Sequence, residues 1–507
     1  MKRKLDVLFV HTNASKKIYQ DLSESHSAIE PPIWAALLAN HVRSRGFGAA
    51  ILDCEAERLT EQESVDSIVD IDARLVCFVV YGQQPSASTQ NMSGAVSACE
   101  LLKEVNSSMK TLFVGGHVAA LPRESLTDEP SIDMICLNEG AYTISNLLNV
   151  QNLNDVYELK KINGLGFRGP DGEIILNTPQ IVIPKSQLVQ DLPGMAWDLL
   201  PDINKYRTAG WHSWSNNSEK QPFGALYTSL GCPYKCSFCM INIIARNDNS
   251  PDVTSQDSNS FRWWPADYII NEFDEMARRG VKNVKIADEL FVLNPRHFIA
   301  ICDLLIERDY GFNIWCYARI DTCKPKYLDK MKKAGINWVG LGIENPSTML
   351  RKEVHKDSYE DVNILDVIKN VQNAGINVGG NYIFGLPMDT MESMEFTFNF
   401  SMENKTEMVN YYCAMAYPGS PLHLLARNNN MKLPKTYEGY SQHSFNTHNL
   451  SNEHLSSQAI LKFRDQAWTD YHKDENYLRL LVNKFGIRAR IDVEETSKIT
   501  LERELFN

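Results

Sequence analysis

The stretch SLGCPYKCSFCMI, residues 229–241, gathers Cys232, Cys236 and Cys239 within eight residues behind a glycine–proline bend, with no fourth sulfur close by. A structural zinc site closes on four ligands, usually from paired CxxC units. Here the spacing is CxxxCxxC with no histidine or cysteine just behind it, so one coordination position stays open. Cys323 is the one distant candidate for a fourth ligand, and a small buried apolar role explains it better. Three thiolates on an iron–sulfur cubane leave one iron without a protein ligand, and that iron can take a substrate or cofactor.

The cysteines follow the apolar strand ALYTSL, which opens a second half of regular alternation. The further strands are VKIAD, IWCYARI, WVGLGIE, VGGNYIFGL and VNYYCAMAYP. Between them run helical patterns such as PADYIINEFDEMARRG, NPRHFIAICDLLIERD, PKYLDKMKKAG, YEDVNILDVIKNVQNAG and TMESMEFTFNFSMEN, several ending in a C-capping glycine. Six β/α units over residues 223–420 predict a partial barrel, whose chemistry gathers at the C-terminal strand ends. The three thiols fall at that end of the first strand.

Upstream, residues 1–150 alternate in the same way, with strands KLDVLFV, AAILDC, RLVCFVVY, KTLFVGG and IDMICL. The intervening patterns PPIWAALLANHVRSRG and STQNMSGAVSACELLKEV complete an α/β, Rossmann-like domain. Ligands in such sheets lie beyond the carboxyl ends of the strands, here the loops HTNAS, YGQQPSAS, GGHVAALP and NEGAY. Residues 151–222 read as a hairpin, GLGFRGPDGEIILNTP, and an extended linker, DLPGMAWDLLPDINKYR. Gly164, Gly166 and Gly169 satisfy GxGxxG but run into a turn and a strand, which excludes a dinucleotide loop. Residues 421–507 are helical and polar and are expected to cap the barrel mouth.

The 507 residues carry a net charge of −12 and no basic stripe, which excludes a nucleic-acid partner. No apolar run approaches the ~20 residues of a membrane span. The opening MKRKLDVLFVHTN reads as a first strand rather than a signal peptide, so a cytoplasmic protein is expected. The other eight of the eleven cysteines, Cys54, Cys77, Cys99, Cys136, Cys302, Cys316, Cys323 and Cys413, are scattered singly and read as buried apolar residues rather than disulfides.

GCPYKCSFC is similar to the signature of the radical S-adenosylmethionine (SAM) superfamily, CxxxCxΦC, with Phe238 as its aromatic residue. That resemblance implies a 4Fe–4S cluster on Cys232, Cys236 and Cys239, with SAM on the fourth iron through its amino and carboxylate groups. It implies reductive cleavage to a 5′-deoxyadenosyl radical, fed by an electron donor such as flavodoxin or ferredoxin. Other positions resemble the SAM-contacting strand ends of the family: Asp288 and Glu289 in KIADELF, Arg319 in YARID, Glu344 in GLGIEN and the GLP of YIFGLP.

A Rossmann-like domain ahead of such a barrel resembles the cobalamin-binding subfamily. The matching stretches are EPPIWAALLANHVRSRGF, Gly115, Gly116 and His117 with LPRE behind them, and Glu139 and Gly140 of NEG. Tyr81 and Gly82, after the third strand, complete the expected cofactor loops. The histidine motif DxHxxG, which ligates cobalt from below in other cobalamin proteins, is absent from residues 1–150; neither His11 nor His117 has its context. The resemblance implies a cobalamin-dependent C-methyltransferase for a small-molecule substrate. A radical cyclase, rearrangement or oxidation catalyst, a cobalamin or redox sensor, and a zinc protein are the alternatives. His443, His448 and His472 of the C-terminal region read as core or surface.

Overall fold

In the computed structural model, which describes residues 5–82, 84, 87–356 and 362–507, the N-terminal alternation forms one parallel sheet. Its strands are β1 (Val7–His11), β2 (Ala49–Asp53), β3 (Leu75–Val79), β4 (Lys110–Val114) and β5 (Met134–Cys136), in the order β2-β1-β3-β4-β5. Lys4 of the expected first strand, Gln83, Pro85 and Ser86 of the YGQQPSAS loop, and the Tyr359–Asp361 start of an expected helix lie outside the described residues. Side chains alternate between two buried faces. Leu8, Val10, Val76, Phe78 and Phe113 face one core. Phe9, Cys77, Val79 and Leu112 face the other, which continues into the rest of the molecule.

The expected hairpin forms as β6 (Leu165–Arg168) and β7 (Ile174–Leu176), and it does not stand apart from the N-terminal sheet. It pairs antiparallel with β5 and extends the sheet to seven strands. β5 has three residues and an open edge, and the hairpin covers it. The glycines of the GxGxxG pattern are spent on this hairpin.

The second half pairs in parallel as β8 (Phe223–Leu226), β11 (Asn283–Ile286), β12 (Asn313–Arg319), β13 (Ile336–Glu344), β14 (Asn377–Phe384) and β15 (Met408–Cys413), in chain order. The short pair β9 (Ser229–Leu230) and β10 (Arg262–Trp263) lies between β8 and β11 in the chain. Register sets the layers of the barrel interior. Lys285 stands beside Trp315, and Trp315 beside Trp338. The next layer is Tyr317, Gly340, Gly379 and Met408. Asparagines tie the strand beginnings, with Asn313 Nδ2 donating to Asn283 Oδ1 at 2.9 Å and Asn337 Nδ2 to Asn313 Oδ1 at 3.1 Å. Trp211 closes this floor edge-on to Trp315 and Trp338, at 5.2 and 5.1 Å between ring centres.

The C-terminal region, expected as a cap, also covers an edge of the barrel. β15 is the free edge of the barrel, and its outer side needs cover. The helix Ser457–Lys473 supplies it, with Arg464 Nε donating to the Tyr411 carbonyl at 2.8 Å. The helices Glu475–Phe485 and Ile487–Thr496 then reach the floor, where Phe485 stacks on Trp338 and Trp214 Nε1 donates to Asp492.

Three fastenings join the halves. Arg262 of β10 makes a buried two-pronged ion pair with Glu139, just past β5. Arg246, 1% exposed, donates to the Ala119 carbonyl at 2.7 Å. The segment 188–222 straps both sheets: Tyr206 donates to Asp53 at 2.8 Å and Trp197 Nε1 to Glu272 at 2.7 Å. Removing one partner of a buried ion pair strands the other charge, so Glu139→Ala is expected to cost about 3–5 kcal/mol of stability. Urea denaturation measures this, and replacing Glu139 and Arg262 together by leucine and methionine should recover most of the loss.

Candidate active site

The cysteine loop is held from below by a buried carboxylate. Asp288, past β11, accepts from the Thr228 amide at 2.5 Å, the Thr228 hydroxyl at 2.6 Å and the Ser229 hydroxyl at 2.6 Å. Burial pushes Asp288 up to about 6. Gly231 then turns the chain at φ +77°, where a Cβ would lie 2.9 Å from the Ser260 carbonyl. Asn242 clamps Cys232, donating to its carbonyl at 2.7 Å and accepting from its amide at 3.2 Å. The Cys239 amide donates to the Cys236 carbonyl at 3.1 Å, and the Ser237 amide to the Val354 carbonyl at 3.1 Å. Phe238 packs against Leu350, Val354, Ile383, Leu386 and Ala414.

The thiols are therefore fixed by backbone clamps rather than by one another. Burial pushes Cys232 up to about 12 and also raises Cys239 well above its ordinary value. Burial raises Cys236 as well, while Lys356 and Arg319 pull it back down. Those cations are themselves positioned. Arg319 lies over the Tyr234 ring at 3.7 Å and donates to Asp321 at 2.9 Å. Lys356 pairs with the buried Glu344, whose φ is +59°, and sits 5.9 Å from the Phe238 ring centre. Buried thiols flanked by cations become good ligands once a metal displaces their protons. Among the described residues no three His, Cys, Asp or Glu side chains gather closely enough to hold a single ion. A multi-iron cluster spreads its thiolates wider than one ion does. The other eight cysteines are buried as expected, and burial lifts Cys302 and Cys323 to about 12.

The loops beyond both sheets line one cavity of about 1020 Å³. His11, Glu55, Tyr81 and Gly82 line it from the N-terminal sheet, and Tyr227, Lys285 and Tyr412 from the barrel. His11 Nε2 lies 3.5 Å from Glu55; burial disfavours its proton, but Glu55 and Asp53 outweigh that and raise its pKa. His443 and His472 also line the cavity, whereas His448 is outside it. A smaller cavity of about 20 Å³ brings Tyr81, Gly82 and Gly116 against Tyr227, Gly231, Met240 and Glu289. Tyr81 stacks on Trp34 at 4.4 Å. Among the described residues its buried hydroxyl has no hydrogen-bond partner. Burial, aided by the charge of Asp288, pushes Glu289 up to about 8.

Not every expected cofactor residue reaches these spaces. A Cβ on Gly116 would meet Met240 Cε at 2.7 Å, so this glycine admits the cysteine loop against the N-terminal sheet. Gly115 and Gly140 serve packing inside their own domain, where a Cβ would meet the Val80 carbonyl at 2.6 Å and Val114 at 2.5 Å. His117 turns inward, 3.2 Å from the Thr89 hydroxyl and edge-on to Tyr437, and burial lowers it to about 3. Glu139 is taken by Arg262 and by the Ile183 amide at 2.5 Å. Lys285 and Lys356 were missed. A lysine inside the apolar strand VKIAD was a usable signal for the first, and the polar stretch RKEVHK carried none for the second.

The family model of the radical SAM superfamily matches residues 226–401, from β8 to the helix Met391–Glu403, and the B12 binding domain model matches residues 22–148. This chain is a B12-binding radical SAM protein. An uncharacterized methyltransferase of Pyrococcus horikoshii is 26% identical over 464 residues, spanning 90% of this chain and 92% of that one. The anaerobic magnesium-protoporphyrin IX monomethyl ester cyclase of Rubrivivax gelatinosus is 24% identical, spanning 82% of this chain and 69% of that one. Two solved structures share the fold. One is the cobalamin-dependent SAM radical enzyme OxsB with aqua-cobalamin and SAM bound, with TM-score 0.68, 15% identity, and 97% of this chain and 72% of that one covered. The other is the radical SAM methyltransferase TsrM from Kitasatospora setae, with TM-score 0.65, 12% identity, and 98% and 99% covered.

In this B12-binding radical SAM protein the raised Glu289 gives a pH signature. A carboxyl whose folded pKa exceeds its ordinary one binds a proton in the fold and releases it on unfolding, so its contribution to stability is lost as pH rises from about 5 to about 8. Urea titrations of the cofactor-free chain should show that decline, and Glu289→Gln should flatten it.

Proposed function

We propose that this chain is a cobalamin-dependent radical SAM enzyme that methylates carbon on a small molecule. The observation that carries the reading is the shared small cavity. It sets the cysteine loop and Glu289 of the barrel directly against Tyr81 and Gly116 of the B12 domain. Cys232, Cys236 and Cys239 would hold a 4Fe–4S cluster, since they are three clamped thiols with Arg319 and Lys356 nearby. Glu289, Arg319 and Glu344, at consecutive strand ends, would hold SAM. Tyr81 and Gly82, with the Tyr81 hydroxyl unpartnered among the described residues, would receive cobalamin. When bound, the cluster and SAM supply a hydrogen-abstracting radical, and cobalamin supplies the methyl group.

The chain's own residues set the conditions for that chemistry. Glu289 holds its proton at neutral pH and offers it as a donor rather than as a second negative charge. Glu344 is paired with Lys356. Aromatic side chains, among them Trp34, Tyr81, Tyr227 and Tyr412, line part of the space between the sheets. His11 is engaged by Glu55 rather than presented alone. Among the described residues no helix is long and apolar enough to cross a membrane. We place the reaction in the cytoplasm, with a one-electron donor such as flavodoxin or ferredoxin. The cyclase of Rubrivivax gelatinosus, similar over 82% of this chain, keeps a radical cyclisation as the second reading.

Anaerobically reconstituted protein, given SAM with a trideuterated methyl group and a cell extract, is expected to release 5′-deoxyadenosine and deposit deuterated methyl on one metabolite. Deoxyadenosine with no labelled metabolite would favour cyclisation, and neither product would overturn the reading. Cys236→Ala should lose both the brown iron–sulfur absorbance and deoxyadenosine formation.

A further inference from the structure

A third cavity, of about 160 Å³, lies deep in the barrel beneath the large one and shares Glu30, Lys285, Met408 and Asn410 with it. Its walls are aromatic: Trp315 and Tyr317 stand 4.8 Å apart at 74°, and Trp338 and Trp211 complete them, Trp211 being shared with the large cavity. Gly340 and Gly379 pair across β13 and β14 in its side. Tyr317 lies over Gly340, where a Cβ would come within 3.0 Å of the ring. Gly379 has no such reason to be glycine. Its backbone is ordinary for a strand, and an added Cβ would meet nothing closer than 3.6 Å, the tip of Met408. Glycine inside a strand weakens it, and it recurs where a ligand approaches the backbone. At Gly379 the missing side chain keeps the chamber open.

The charge in the chamber cancels. Lys285, with its side chain 3% exposed, pairs with both Glu30 oxygens at 2.9 and 3.2 Å, and its ammonium lies 5.0 Å from the Trp315 ring centre. Among the described residues no other acidic or basic side chain lines the space. An anionic or cationic group would have to break this pair, whereas an uncharged flat ring would slide between the aromatic faces and the bare backbone. Asn410, which donates to Asn381 Oδ1 at 3.0 Å, leaves its own amide oxygen available for a ring hydroxyl or ring N–H.

We propose that this chamber takes an uncharged aromatic ring of the substrate, so that the methyl acceptor is an aryl- or heteroaryl-bearing molecule. The proposal rests on the reading of the large cavity as the reaction site. Its probes are naphthol, naphthoate and methyl glucoside, tested against the full-length chain by saturation-transfer NMR. Naphthol should bind saturably, naphthoate at least about tenfold more weakly, and the glucoside not at all. Gly379→Leu should weaken naphthol about tenfold with the cobalamin and iron–sulfur absorbances retained. If that variant does not fold, Gly379→Ala, whose Cβ the protein tolerates, should weaken naphthol measurably. Met408→Ala, which enlarges the chamber, should leave naphthol binding intact or tighter. Equal or tighter binding of naphthoate, preference for the glucoside, or indifference to a side chain at 379 would overturn the proposal. Deoxyadenosine formation by the wild-type chain is scored separately, so its absence sinks the underlying reading and not the chamber's selectivity.

Discussion

The buried pair of Glu139 and Arg262 sets the relation of the two sheets, and the rest of the site follows from that relation. It ties the loop after β5 to β10, the short strand that pairs back on β9 at the entrance to the cysteine loop. The strands β1 to β5 run parallel to one another, as do the six barrel strands, so each set directs its carboxyl-end loops to one end of its sheet. Fastening the ends together forces those loops to face each other across a cavity. Arg246 repeats the fastening on the far side of the cysteine loop, and Gly116 lets Met240 approach.

Within that frame, electrostatics divides the labour. The carboxylates behave differently because their neighbours differ. Asp288 accepts three hydrogen bonds that hold the loop, Glu344 pairs with a lysine, and burial beside Asp288 pushes Glu289 up so that it keeps a proton. A site of this kind offers a hydrogen-bond donor, a paired charge and a structural anchor within one ring of strand ends. The aromatic interior beneath it carries one mutually satisfied ion pair.

Much of this was legible in the sequence. The spacing of three cysteines after an apolar strand gave the metal ligands as an expectation, and the alternation of strands with glycine-ended helices gave both sheets. What was not legible depends on contacts between distant residues. Glu139 and Arg262 are 123 positions apart, and nothing near either one marks a partner, so an acidic residue in NEG was read as a ligand. His117 stood in a plausible loop, but the helix that begins at Gly116 turns its ring toward Tyr437. The hairpin and the C-terminal helices were recognised as elements, yet their places were set by open sheet edges, which local periodicity does not reveal.

The strap of residues 188–222 bears on how the molecule is made. Its partners lie on both sides of it in the chain: Asp53 and the Ala36 carbonyl behind, and Glu272 ahead. During synthesis the N-terminal sheet can assemble as soon as its hairpin has left the ribosome, but the strap gains its second set of partners only after the first barrel helix appears. The mutual orientation of the two halves is thus a late event in biogenesis, and the cysteine loop is translated before the strap gains its contact with Glu272.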